Sequence, residues 1–453
     1  MKRVRLNHIK KNRLLISLLL CFYTNANALD LLTAYQNAQN HDPIFAAAQA
    51  QYLATLEKLP QGRAGLLPQI TAQWNKSKNN IETGTSITTP PNTSFTQTSW
   101  SLSLSQPLFR WSNWETYKQG ELAQMGAKMQ RIQAQHDLIT RVAQAYFDLL
   151  AAQDNLTLVQ AKQHSIQQQL QQAQHNFEIG SATIVDTHDA QARYDLAEAQ
   201  TINAKSELEI KRGALQQITG QVNDSVYGLK NNATIPHPNP AHMEEWVKQA
   251  ELGNLQIALA QIALEVARRE KSKGMGEHFP TVDLIASRNY TSNTTEANMP
   301  PILTANGDSP TFSNQIGIRV SVPLFAGGYT QSHLRETQAL LEKSRQDLEA
   351  TKLSTIQNVR ATFLGVSSGL AQIKALEAAE KSALGAYESN KLGYEVGARI
   401  NIDVLNAQDQ LTSTRRDLYK ARYDTLIANL KLKAAANLLG DTDIAWLNSL
   451  LGQ

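Results

Sequence analysis

Apolar residues recur at steps of three and four through two long stretches of the chain, as at Ile139, Val142, Ala143, Tyr146, Leu149 and Leu150. That spacing lines one face of an α-helix. Proline breaks helix interiors, and none occurs from Leu108 to Ile235 or after Pro323. Both stretches are rich in Ala, Gln, Leu, Glu and Lys, which favour helix. Each predicts a long helix interrupted near its middle by a glycine phrase: FEIGSATIVDTHDAQ at Phe177 to Gln191 and YEVGARINIDVLNAQ at Tyr394 to Gln408.

A period of two marks the other elements. Trp100, Leu102 and Leu104 alternate with serines, and Ile316, Ile318, Val320 and Val322 alternate with polar or small residues, the pattern of strands with two unlike faces. Partner strands are predicted near Pro68 to Lys78 and Pro280 to Thr291, giving strands at about 67–80, 97–109, 279–292 and 312–325. Between partners lie IETGTSITTPPNTSF and TSNTTEANMPPILTANGDSP, polar stretches whose Thr, Pro, Gly and Asn content predicts loops. The flanks are also duplicated. SQPLF at Ser105 to Phe109 echoes SVPLF at Ser321 to Phe325, and LLPQI at Leu66 to Ile70 echoes HFPTV at His278 to Val282. Several anchors at one offset indicate an internal duplication. The first repeat spans 29–220 with its turn at 180, a linker covers 221–241, the second repeat spans 242–440 with its turn at 397, and 441–453 form a tail.

The N-terminus changes how the charge is read. Lys2, Arg3, Arg5, Lys10, Lys11 and Arg13 precede the apolar run LLISLLLCF and the small-residue site ending at Ala28. This is the layout of a cleaved secretory signal peptide over 1–28. Its removal takes away those six basic residues and no acidic one, so the formal charge of +3 becomes −3. Nucleic-acid binding then loses its main support. The single cysteine, Cys21, also lies in the leader, behind Leu20 where a lipoprotein signal needs a small residue, so lipidation is not expected. No other apolar run is long enough for a helical span, and any membrane insertion must use strands.

Alternating strands joined by long polar loops fit a transmembrane β-barrel, with Phe109, Trp111 and Trp114 placed for an interfacial aromatic belt. Four strands cannot close such a barrel, because the narrowest use about eight, so several chains must share it. The helix from Ser112 to Ile179 would run roughly 100 Å at ~1.5 Å per residue. Such a rod needs other helices against its apolar stripe.

The signal peptide, the duplicated helix–hairpin–helix plan, the paired PLF ends and the paired F/Y-x-V/I-G-x-x-x-I-x-D-x-x-x-A-Q turns together resemble the TolC family of outer-membrane efflux and secretion channels. The resemblance covers nearly the whole mature chain. It implies an α+β membrane protein assembled as a homotrimer. Four strands per chain would make one twelve-stranded outer-membrane β-barrel set in lipid, continued by a long periplasmic α-helical barrel. It implies an exit duct, gated by an iris-like opening of the helix hairpins, that meets a periplasmic adaptor (membrane fusion protein) and an inner-membrane pump or ABC exporter. No cofactor and no catalysis are implied.

By the same resemblance the gate residues are Tyr394, Arg399, Asp403 and Asp186, and the adaptor-docking tips are Ile179, Gly180, Ser181 and Val396, Gly397, Ala398. The chemistry is intelligible on its own terms: a guanidinium can hold a carboxylate through paired hydrogen bonds, and Gly ends a helix sharply in the left-handed conformation. One departure stands out. Where the family often carries a second Asp after the one in the second phrase, this chain has Asn406, while the first phrase has Asp189. Asp186, Asp189 and Asp403 are therefore the candidates for a cation-attracting ring. Arg399 has no basic counterpart at Ala182, so any latch should be asymmetric.

Other signals carry less. GVSSG at Gly365 to Gly369 fits G-x-S-x-G, but that nucleophile needs a strand-to-helix turn and these residues fall inside a predicted helix. HPNPAH at His237 to His242 has no fixed face and no companion ligands for a metal. His188-Asp189 lacks a third member. A coiled-coil adhesin or scaffold is the competing class; continuous heptads without paired hairpins would have marked it.

Overall fold

The computed structural model describes residues 28–82, 92–181, 183–221, 225–230, 233–295 and 310–452. The leader, most of both polar hairpin loops and Ala182 lie outside the described residues. The chain runs α1 (Leu31–His41), α2 (Pro43–Leu56), α3 (Lys58–Ala64), β1 (Gln69–Glu82), β2 (Asn92–Phe109), α4 (Trp111–Glu178), α5 (Ile184–Thr219) and β3 (Gly228–Leu229). It continues through α6 (Met243–Gly253), α7 (Leu255–Gly276), β4 (Thr281–Thr295), β5 (Thr311–Ser321), α8 (Tyr329–Glu395), α9 (Asn401–Ala435), α10 (Asp441–Leu450) and β6 (Leu451–Gly452). Short helices, a hairpin, a helix of 68 or 67 residues and a shorter return helix thus occur twice in the same order.

The two hairpins join into one antiparallel sheet of order β1-β2-β4-β5. Residues directly opposite in an antiparallel ladder share a face. The register therefore collects Ile70, Leu104, Ala286 and Ile316 on one face and Thr71, Ser103, Ser287 and Gln315 on the other. On the apolar face Trp74, Trp100, Tyr290 and Phe312 form an unbroken aromatic row across all four strands. Trp100 stacks on Tyr290 with ring centroids 6.0 Å apart, and Tyr290 meets Phe312 at 5.0 Å. Both outer strands carry bare apolar residues, Ile70 and Trp74 on β1 and Ile316, Ile318 and Val320 on β5.

At the foot of the sheet Arg110 donates to Asp283 through Nε and Nη2 at 2.8 and 2.7 Å, beside a register shift at Pro107 and Phe109. This fork ties the start of α4 to β4. The two PLF motifs part company here. Pro107 to Phe109 end β2, whereas β5 stops at Ser321 and leaves Leu324 and Phe325 almost fully exposed. Trp111 differs from the exposed Phe109 and Trp114: its indole N–H reaches Ser272 and its ring meets Phe279 edge-on, so it braces α4 against α7.

The main core sits partway along the rods. Ile139, Val142, Tyr146, Phe147 and Leu150 of α4 pack with Leu426 and Leu430 of α9, Tyr35 and Ala38 of α1 and Leu447 of α10. Burying each large side chain contributes about 1.5–3 kcal/mol, so stability is concentrated in this collar. Leu29 bridges to Val226, β3 pairs with β6, and the Tyr146 hydroxyl lies 3.0 Å from the carbonyl oxygens of Leu29 and Tyr227. N-terminus, linker and tail are thereby stitched into one unit on α4. The motif at 365–369 lies mid-α8, where Gly369 lets that helix approach Thr425 of α9.

The collar also holds a titrating group. Tyr423 donates its hydroxyl hydrogen bond to Asp154, and burial pushes that carboxyl above its ordinary value of 3.8 even though the bond favours the ionised form. A raised carboxyl contributes stability that is full below the unfolded value and is lost as pH rises through the folded one. Asp154→Asn keeps an acceptor for Tyr423 but removes this slope. Thermal melts from pH 4 to 8 should show the wild type losing ground to the variant as pH rises; parallel curves would refute the assignment.

Candidate gate and docking tips

The far ends of the two helix pairs repeat one backbone device. Gly180 and Gly397 both adopt φ +75°. In the first tip Ser181 N–H donates to Asn176 O at 2.8 Å and Gly180 N–H to Phe177 O at 3.0 Å. In the second, Ala398 N–H donates to Gly393 O at 2.8 Å and Gly397 N–H to Tyr394 O at 3.0 Å. These are matching Schellman closures, in which a left-handed residue lets two N–H groups satisfy the last carbonyls of the helix. Ile179, Ser181, Val396 and Ala398 stand exposed around the two glycines.

The return helices start differently. Thr183 and Asp186 form a capping box: Thr183 accepts from the Asp186 N–H, and an Asp186 oxygen lies 3.0 Å from the Thr183 N–H and 2.7 Å from its hydroxyl. Asp186 is thus engaged within its own turn. At the second tip Ile400 provides no side-chain cap, and Asp403 instead faces Arg399 at 3.7 Å. Arg399 packs its methylenes against Gly393, where a Cβ would collide with them, yet its side chain is 60% exposed. Tyr394 reaches the other helix pair, accepting from Asn176 Nδ2 at 3.4 Å. The structure therefore joins Tyr394 to α4 and Arg399 to Asp403, and brings Asp186 to neither. Asp189 lies exposed on α5.

Between tips and collar the packing thins. Apolar burial shrinks to small groups such as Ile166, Ala197 and Leu405, or Leu170, Ala173 and Ala190. Polar side chains replace it: Ser165 donates to Gln408 Oε1 at 3.2 Å and lies 3.4 Å from the Tyr387 hydroxyl, while Gln169 donates to the same oxygen at 3.3 Å. Sequence reasoning missed Gln408, because a glutamine on a helix that also carries Asn, Asp, Arg and Lys gives no signal of burial. It also missed the aromatic row, whose members fall in four separate strands and align only through the register.

A sheet with one apolar, aromatic-banded face and one polar face, continued by rods far longer than the sheet and ending in glycine tips, defines a protein that spans an outer membrane and reaches well beyond it. The chain belongs to the outer membrane efflux protein family, whose model matches residues 34–221 and 246–438. It is 31% identical to the outer membrane protein TolC of Vibrio cholerae serotype O1 over 425 residues, covering 93% of this chain and 94% of that one. It is 32% identical to the alkaline protease secretion protein AprF of Pseudomonas aeruginosa, covering 94% and 88%. The fold matches that of the outer membrane protein VceC of Vibrio cholerae with a TM-score of 0.74 at 19% identity, covering 90% and 95%. It also matches the CmeC outer membrane channel of Campylobacter jejuni with a TM-score of 0.75 at 16% identity, covering 99% and 98%. The protein is an outer-membrane exit duct.

Proposed function

We propose that three copies of the chain form the duct, passing material from a pump or exporter across the periplasm and outer membrane, with the helix tips as its gate and docking surface. The observation that carries this is the sheet. Among the described residues each outer strand leaves its outer edge unpaired and is apolar on one face, and four strands fall short of the roughly eight a barrel needs. Twelve strands from three chains close it and seal both edges. Trp100 and Phe109 are nine residues apart, roughly 30 Å along a strand, which a tilt reduces to about the 25 Å of an outer-membrane apolar band. The polar face then lines the passage. The resemblance to both TolC and a protease secretion protein supports efflux and type I secretion alike, with a periplasmic adaptor and an inner-membrane pump or ABC exporter as partners.

At the gate, Arg399 offers most of its donors to solvent within one chain, so a carboxylate of the neighbouring copy, Asp186 among them, is the partner that completes the latch. Such exposed links are worth about 0.2–1 kcal/mol each, strong enough in threefold repetition to bias a constriction shut and weak enough for a docked partner to release. Planar-bilayer recording tests the whole reading. Discrete channels are expected, and Arg399→Ala should raise the resting conductance; a chain that gives no discrete conductance is not a duct, and an unchanged level removes Arg399 from the latch. In the same recordings Asp189→Asn should weaken block by divalent cations, unless the acidic ring has no role.

A further inference from the structure

Above the tips, the structure points to a second lock that joins the two helix pairs of one chain. Arg193 of α5 forks onto α9: Nη1 donates to Asp409 Oδ2 and Nη2 to Asn406 Oδ1, both at 2.9 Å. The other Asp409 oxygen lies 2.6 Å from Nζ of Lys162 on α4, and Lys162 also donates to Gln200 Oε1 of α5 at 3.1 Å. Both helices of the first pair thus place a cation on one carboxylate of the second. α9 packs along α4 but meets α5 only sparsely, so Arg193 spans a seam that apolar packing closes only through the small group of Ile166, Ala197 and Leu405.

We propose that Arg193, Lys162 and Asp409 form an intrachain clamp that must open when the helix pairs separate. The inference rests on the gated-duct reading and adds positioning residues to it. Arg193 lies nine residues into α5, roughly 14 Å along the helix from its start, so it restrains motion that the tip residues do not reach. The clamp also accounts for Asn406. The amide accepts the second guanidinium N–H in fork geometry without setting another carboxylate one turn from Asp409.

The test uses the full-length purified protein with Arg193→Gln, Asp409→Asn and the double variant. In bilayers each single change should raise the fraction of time spent above the resting level roughly two- to fivefold, and the double should exceed the larger single effect by little, because both remove one interaction. Unchanged gating or additive effects overturn the clamp. Hydrogen exchange on the same samples reads the clamp without a membrane. Arg193→Gln should speed exchange not only in residues 184–200 of its own helix but in 401–412 of α9, and Asp409→Asn should do the reverse; exchange that changes only on the mutated helix overturns the clamp. A wild type without discrete conductance would sink the duct reading alone, leaving exchange to decide the clamp.

Discussion

Replacing Asp42 with alanine should cost about 3 kcal/mol of stability, the largest single loss expected from a polar residue outside the gate. Asp42 is buried between α1 and α2 and does two jobs there. One oxygen accepts from the Phe45 N–H at 2.7 Å, capping α2, and the carboxylate takes a forked pair of bonds from Arg141 of α4 at 2.7 and 3.2 Å. Alanine removes the cap, worth about 1 kcal/mol, and leaves the half-buried Arg141 charge unpaired. Asp42→Asn keeps the cap and should lose about half as much. The pH response separates this site from Asp154. Burial opposes ionisation of Asp42, but the Arg141 and Phe45 bonds outweigh it and hold the carboxyl below its ordinary value. Its contribution is therefore present above the unfolded value and lost as pH falls through the lowered one, opposite in sign to Asp154. Melting followed by helical circular dichroism at neutral and acidic pH would show the Asp42→Ala deficit narrowing in acid; a constant deficit would mean that packing, not charge, is lost.

Much of this architecture was legible in the sequence because it rests on one-dimensional periods. The two proline-free stretches, the two-residue alternation at Trp100 to Leu104 and the repeated glycine phrases each report local geometry directly. What stayed hidden depends on partners distant in the chain. Phe109, Trp111 and Trp114 suggested a belt by proximity in sequence, yet Trp111 turns inward to Ser272, and a full aromatic row needs Trp74, Trp100, Tyr290 and Phe312 in register. The SVPLF echo matched in letters but not in pairing. Asp186 was singled out for its place in the phrase, and its capping box with Thr183 could have been read from the spacing. Arg193 and Asp409 offered no signal at all, since charges more than two turns into a polar helix are usually solvated.

The glycine tips carry the other large effect. Gly180→Val with Gly397→Val should abolish export in cells, and Gly180→Asn with Gly397→Asn separates the two reasons why. At φ +75° a side chain costs roughly 1–2 kcal/mol per residue, most for a β-branched one, whereas Asn visits this conformation readily. Beyond the adjoining residues, no described atom lies within 4 Å of a Cβ built on either glycine, so the penalty within the chain comes from the backbone. If the glycines serve only to turn the chain, asparagine should restore export. If the bare tips seat a partner, asparagine keeps the turn and still fills the surface that the partner must approach, and export should fall roughly tenfold, as for a lost interface contact of about 1.4 kcal/mol. Docking at the tips predicts the second outcome, with bilayer conductance of the asparagine variants unchanged. Export at the wild-type rate in those variants would remove Gly180 and Gly397 from the docking surface and leave them as turn residues.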